Sequence, residues 1–148
     1  MTGSFADAVR RCAAGSVVAA AVAGCGSGVS LAEPAAPLEG TQWTLVALRG
    51  ASIAGTPHAP SLLLQADQMR ASGSSGCNRW SGPYTLAGTH LAFGPAAGTR
   101  MACMQGMEQE QAFLDAMTAV ASWRVDGARL ELRDAQGETI LQFVKVGS

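Results

Sequence analysis

Lysine is nearly missing from this chain, with Lys145 alone, and histidine is confined to His58 and His90. Across 148 residues the formal net charge is only −1. There is no basic stripe to neutralise a phosphate backbone, so nucleic acid is not an expected partner. No Gly-rich loop runs into a lysine, which excludes the common phosphate cradle. Gly73-Ser74-Ser75-Gly76 lacks the spacing of a nucleophile elbow. A catalytic cysteine would need a base within hydrogen-bond reach, and neither histidine accompanies a recognisable nucleophile motif. The cysteines and histidines also lack the close pairing of structural zinc sites. No metal or other cofactor is therefore expected, and the reading is non-enzymatic. There is no internal repeat.

The apolar stretches are short as well. The longest, Ala13 to Ala23, falls below the roughly 20 residues of a membrane span, and it follows Arg10 and Arg11. A basic start, an apolar middle and small residues at the end make a secretory signal over residues 1–24. Val22-Ala23-Gly24-Cys25 resembles the bacterial lipobox, which implies a diacylglyceryl thioether on Cys25 after cleavage. An amide-linked acyl chain (palmitate) would give the second signal that stable anchoring requires. Gly26 after Cys25 points to an outer-membrane anchor facing the periplasm, rather than the inner membrane, in a Gram-negative host. Loss of the leader removes Asp7, Arg10 and Arg11, which moves the formal charge from −1 to −2. Residues 25–38, small and Pro-containing after the lipidated cysteine, read as a flexible tether. The folded domain is expected over 39–148.

Within that domain only one segment keeps the helical period. Gln105 to Ser122 places Phe113, Ala116, Met117 and Val120 on one face, with Glu108, Glu110 and Asp115 largely elsewhere. Elsewhere the pattern alternates: Trp43, Leu45 and Ala47; Leu62 and Leu64; Tyr84 and Leu86; Leu91 and Phe93; Trp123 and Val125; Leu130 and Leu132; Leu141 and Phe143. Turn signals at Ala87-Gly88-Thr89, Asp126-Gly127 and Ala135-Gln136-Gly137 join neighbouring strands as hairpins. The expected fold is mainly β (α+β): a compact curved antiparallel sheet or small open barrel, plugged by one amphipathic helix near 105–122.

Two motifs remain, Ser75-Gly76-Cys77-Asn78-Arg79-Trp80-Ser81-Gly82-Pro83-Tyr84 and Thr99-Arg100-Met101-Ala102-Cys103. Gly76, Gly82 and Asn78 permit unusual backbone conformations, so a bulged or bent strand is expected around Cys77. Pro83 favours an edge, a bulge or a strand start. Together with Gly40-Thr41-Gln42-Trp43-Thr44-Leu45 and the helix carrying Glu110, Phe113 and Leu114, these motifs resemble the META-domain family. That family includes heat-shock-associated envelope lipoproteins. Its pattern is carried here by Gly76, Asn78, Gly82, Tyr84, Thr99, Arg100 and Met101. Trp80 stands at a position expected to vary.

The resemblance implies a β-rich domain with one helix, a place in the cell envelope, and a link to envelope integrity or to stress and antibiotic tolerance. In an exported protein Cys77 and Cys103 are expected to form a disulfide. The alternative is two buried, unbridged cysteines serving as small apolar residues. Arg79 and Arg100 offer guanidinium groups for a carboxylate or phosphate, although a solvated role is the simpler reading. Met101, Met104 and Met107 are expected to pack at the entry to the helix; if exposed, they would mark a partner surface. The partners expected are the membrane, through Cys25, and an envelope protein. An apolar ligand or lipid inside the barrel is the alternative, and dense packing of Leu62, Leu64, Phe93, Phe113 and Met117 would argue against it.

Overall fold

A computed structural model describes residues 34–53 and 58–147. In chain order the elements are β1 (Trp43–Leu48), β2 (Ala51–Ser52), β3 (Ser61–Gln65), β4 (Arg70–Ser74), β5 (Arg79–Ala87), β6 (His90–Phe93), β7 (Ala97–Gly98), α1 (Met107–Thr118), β8 (Ser122–Asp126), β9 (Arg129–Arg133) and β10 (Thr139–Lys145). Eight of the strands close on themselves in the order β1-β3-β4-β5-β6-β8-β9-β10, with β10 returning to β1. Every pairing is antiparallel. The fold is thus a closed antiparallel barrel with one helix. Closure leaves none of the eight wall strands with a free long edge, the usual hazard of an open sheet.

The wall is uneven. β1 and β10 share a register running from Trp43 opposite Lys145 to Leu48 opposite Leu141, so the first and last long strands are zipped together. Between β6 and β8 the register consists of a single pair, His90 opposite Ser122. Backbone bonds from Leu91 N–H to the Ala121 carbonyl (3.1 Å) and from Trp123 N–H to the Thr89 carbonyl (3.1 Å) extend that narrow seam. It is here that the chain leaves the wall to form α1.

The hairpins follow their turn chemistry. Ala87 pairs with His90 around Gly88-Thr89, and Asp126 with Arg129 around Gly127-Ala128. Gly88 and Gly127 have φ of 60° and 56°, the left-handed conformation such tight turns demand. At the third turn Asp134 does the work with its side chain, whose Oδ1 accepts the N–H groups of Gln136 (3.0 Å) and Glu138 (2.9 Å).

The core contains Trp43, Leu45, Leu62, Leu64, Leu91, Phe113, Leu130, Leu132, Leu141 and Phe143, all essentially inaccessible. Strict alternation fails in β1, where a register shift between Leu45 and Ala47 turns Leu48 inward and leaves Ala47 only half-buried. A second shift, between Thr139 and Leu141, lets Ile140 and Leu141 both be buried. Each bulge adds a residue to one strand and restarts its period.

Two boundaries differ from the sequence reading. The helix occupies Met107–Thr118 rather than 105–122, because Gly106 before it is left-handed (φ 91°) and Ala119 closes it. The packed chain also begins before Glu39: Leu38 is buried and its carbonyl accepts the Trp43 indole N–H (3.0 Å), while Ala36 N–H reaches the Gly127 carbonyl (2.9 Å). Those residues belong to the domain and not to a loose tether.

β5 is the longest strand and the one that carries the motif. Trp80, Gly82 and Tyr84 all face inward and are buried, so the segment is a regular strand through Gly82-Pro83. Gly82 is required there, since a Cβ would lie 2.9 Å from the Pro95 carbonyl oxygen. Pro83 stands mid-strand, neither at an edge nor at a start. It marks the point where β5 gives up pairing with β4 and takes up β6.

Candidate functional site

At one end of β5 the chain turns tightly from β4. Ser74 pairs with Arg79, and Ser75 to Asn78 form the turn, so Cys77 sits at a hairpin tip and not in a bent strand as its glycines had implied. Gly76 adopts φ 124°, a region open in practice only to glycine. Ser75 N–H bonds to the Asn78 carbonyl (2.8 Å), and the Ser74 hydroxyl accepts Gly76 N–H (3.1 Å).

Asn78 is the hub of this corner. Its Oδ1 accepts Met101 N–H (2.7 Å) and the Thr99 hydroxyl (2.9 Å). Its Nδ2 donates to the Met101 carbonyl (3.2 Å) and to Glu110 Oε2 (3.2 Å). A side-chain amide has two donor hydrogens and two acceptor lone pairs, and all four are used. The Thr99 hydroxyl in turn accepts Arg79 N–H (3.1 Å). The two sequence motifs are therefore stitched together side by side.

Glu110 completes the corner from α1. It lies in the first helical turn and is buried, with Oε1 accepting the Ser75 hydroxyl (2.8 Å) and Oε2 accepting Asn78. The sequence reading set Glu110, with Glu108 and Asp115, largely off the apolar face. Its true place is on the inward stripe, because Glu110, Phe113 and Met117 follow the i, i+3, i+7 spacing of one face. Burial of the carboxylate is tolerable because both oxygens are hydrogen-bonded and the helix N-terminus is nearby.

The Cys77–Cys103 disulfide ties the hairpin tip to the segment before α1, with Cα atoms 6.2 Å apart and a sequence separation of 26. Both cysteines are half-buried, so the alternative of two sequestered thiols finds no support. Cys25 lies outside the described residues.

Tyr84 anchors the opposite half of β5. It is buried, and its hydroxyl donates to Glu39 Oε1. Burial, reinforced by that bond and by the charges of Glu39 and Asp67, holds the phenol proton well above the usual tyrosine range.

Arg79 and Arg100 are exposed, and neither has an ion-pair partner among the described residues. Met101, Met104 and Met107 are 58%, 103% and 48% exposed, so the expected packing at the helix entry is overturned. The Asn78, disulfide and Gly106 constraints hold this segment outside the core and leave its thioethers in water. His58 and His90 are exposed, and no group of three or more His, Cys, Asp or Glu side chains among the described residues can hold a metal ion.

Between this segment and α1 lies a cavity of about 550 Å³, lined among others by Arg79, Trp80, Arg100, Met101, Met107 and Glu110. Trp80 forms part of its floor. The ring packs edge-on against Phe93 (6.3 Å) and obliquely against Phe113 (6.0 Å). Its indole N–H is buried without a hydrogen-bond partner, an uncommon and costly condition. The barrel interior is packed: Leu62, Leu64, Phe113 and Met117 are buried and Phe93 packs against the core cluster. Among the described residues, no helix is long and apolar enough to cross a membrane.

A family model described as META domain matches residues 36–147. The chain is similar to a protein from Burkholderia xenovorans whose structure was determined by NMR. Identity is 32% over 75% of this chain and 85% of that one, with a TM-score of 0.59. A second NMR structure is 24% identical over 72% of this chain and 90% of that chain (TM-score 0.57). A duf4847 family protein from Bacteroides vulgatus ATCC 8482 is 16% identical over 72% and 93% (TM-score 0.53). These last two speak to the fold alone. No curated protein sequence gives a significant match.

Proposed function

Because the chain belongs to the META-domain family, we propose that it is a lipid-anchored, non-enzymatic binding module of the cell envelope, contributing to envelope integrity or stress tolerance through a partner docked at the Asn78 corner. One observation carries this reading: the corner presents exposed methionines and two guanidinium groups without ion-pair partners among the described residues, beside one cavity. Adaptable thioethers beside hydrogen-bond donors suit a partner that offers apolar contacts together with carboxylate or phosphate oxygens.

The position of the corner supports the same reading. The chain enters the domain beside Gly127 and Tyr84, whereas the corner begins at Arg79. Five residues of strand put roughly 17 Å between Tyr84 and Arg79. Acyl chains on Cys25 would fix the module's address. The alternative, an apolar ligand inside the barrel, is disfavoured by the filled core.

The test is recovery of partners by the intact lipidated protein from its own envelope, alongside Cys25→Ser and Arg79→Glu/Arg100→Glu forms. Loss of a reproducible partner with the double charge reversal is the expected result. Recovery of the same partners by that form would overturn docking at the corner. Equal recovery by Cys25→Ser would reduce the anchor to an address.

A further inference from the structure

Outside the closed wall, β7 has a strand on one side only: among the described residues it pairs with β5 and no other. Its register, Trp80 opposite Gly98 and Ser81 opposite Ala97, fixes which backbone groups are spent. Thr99 N–H bonds to the Arg79 carbonyl (3.0 Å), so Thr99 faces β5. An antiparallel ladder alternates, and Gly98 therefore turns its N–H and C=O the other way. The end of β6 behaves alike. Gly94 N–H bonds to the Pro83 carbonyl (2.8 Å) and Leu91 N–H to the Ala121 carbonyl (3.1 Å), which turns the Phe93 backbone away from β5. Pairing with β8 stops at His90. An unpaired edge thus spans Phe93 and Gly98, and such an edge is a template for another strand.

The same edge borders a groove. The cavity of about 550 Å³ has Ala96 to Ala102 along one wall and Met107, Glu110, Gln111 and Leu114 of α1 along the other. A second cavity, of about 240 Å³, lies between Phe93, Gly94 and Ala96 on one side and Gln111, Leu114 and Thr118 on the other. Ala96, Gln111 and Leu114 line both, so the two adjoin along the helix. From Met107 to Thr118 a helix rises roughly 16 Å, the span of about five extended residues.

Size and charge narrow the occupant. Ala96, Ala97 and Gly98 are small and exposed, which lets a second backbone come within the roughly 4.8 Å of paired strands. Arg79 and Arg100 line the larger cavity and have no ion-pair partner among the described residues. Its one carboxylate, Glu110, already accepts a hydrogen bond at each oxygen. Two guanidinium groups against one satisfied carboxylate leave this end of the groove positive.

Building on docking at the Asn78 corner, we propose that the partner enters as an extended, acidic protein segment that adds a strand to the free edge of β7. Gly98 supplies main-chain hydrogen bonds, one face of the segment rests on Met107 and Leu114, and its carboxylates meet Arg79 and Arg100. A lipid phosphodiester group has no hydrogen to donate and leaves the Gly98 carbonyl unpaired, whereas a peptide backbone serves both Gly98 groups.

The test is a titration of the whole lipidated protein, in detergent micelles, with a blocked hexapeptide alternating valine and glutamate, read by amide NMR and hydrogen exchange. Slowed exchange at Gly98 is expected, with Gly127 in the β8–β9 turn unmoved. The same peptide methylated at alternate backbone nitrogens keeps its charge and is expected to bind about tenfold more weakly, as is its glutamine counterpart. Gln111→Trp, at an exposed position lining both cavities, fills the groove from outside the core and is expected to abolish binding. Equal affinity for the methylated peptide, an unprotected Gly98 at millimolar peptide, or unchanged binding by Gln111→Trp would each overturn strand addition. Phosphatidylglycerol in the micelles that shifts Arg79 and Arg100 while peptide leaves Gly98 unprotected would assign the groove to lipid instead. If Arg79→Glu/Arg100→Glu loses its envelope partner but peptide does not protect Gly98, docking at the corner stands and strand addition falls. Peptide pairing at Gly98 with envelope partners untouched by that reversal would leave the groove standing and remove envelope docking.

Discussion

On one side of Trp80 the molecule is dry. Phe113, Leu62, Leu64, Leu132 and Phe143 fill a closed barrel, held by side chains that are interchangeable in kind if volume is kept. On the other side, in the Ser75–Asn78 turn and the Thr99–Met107 segment, no apolar side chain is buried. There the chain is held by a disulfide and by single hydrogen bonds to one asparagine. The barrel can absorb a conservative exchange, whereas the corner depends on atoms in particular places. Such a division fits a scaffold that carries a site.

The division can be attacked first through the helix, which belongs to both halves. Phe113→Ala empties a fully buried position and is expected to cost about 3–5 kcal/mol. It would lower the denaturant midpoint and expose the corner amides to hydrogen exchange as well. A corner that kept its protection would show the two regions to be energetically separate. Cys77→Ser/Cys103→Ser comes next, with a loss of up to about 3.5 kcal/mol from chain entropy for a loop of this length. Thermal denaturation of that variant, against the parent under oxidising and reducing conditions, measures the disulfide's share.

Asn78→Ala isolates the hydrogen bonds. It strips a partner from buried Glu110 and both backbone partners from Met101, and a cost of about 2–3 kcal/mol is expected. Amide exchange should quicken at Met101 and Thr99 before it does in β9 or β10. Uniform quickening through the barrel would erase the distinction between the regions.

The smallest effect belongs to Tyr84→Phe, about 1 kcal/mol near neutral pH for one hydrogen bond. Its pH dependence is more telling. The phenol holds its proton more tightly in the fold than in the unfolded chain, where the ordinary value is about 10. The stabilisation is therefore complete below pH 10 and is lost as pH rises above it. Urea midpoints measured from pH 8 to 11 should fall in the parent, while Tyr84→Phe should lack Tyr84's share of that slope.

Much of the wall was legible because its signals are local. Gly88, Gly127 and Gly137 announce turns, and Leu62/Leu64 and Leu130/Leu132 alternate cleanly. The bulges in β1 and β10 were not legible, since they are set by the partner strand and not by Leu45 or Thr139. At the corner, Gly76 and Asn78 read as distortion within a strand, when they are the turn between two. The pairing of Ser74 with Arg79 distinguishes these, and it is a property of two strands. Glu110 was missed for a different reason. A glutamate in a first helical turn has a ready explanation in the dipole, which masked its spacing from Phe113. The methionines were misjudged because apolar character predicts burial only where the backbone lets a side chain reach the core.

One consequence of the β1–β10 zipper concerns time. A chain delivered from its N-terminus presents Trp43 to Leu48 early, yet their long partner is the last strand to arrive. Hairpins such as β3–β4 and β5–β6 can form as soon as they emerge, but the ring has no closing stave until nearly the whole chain is free. The barrel therefore cannot close before β10 is available, whatever order its hairpins form in.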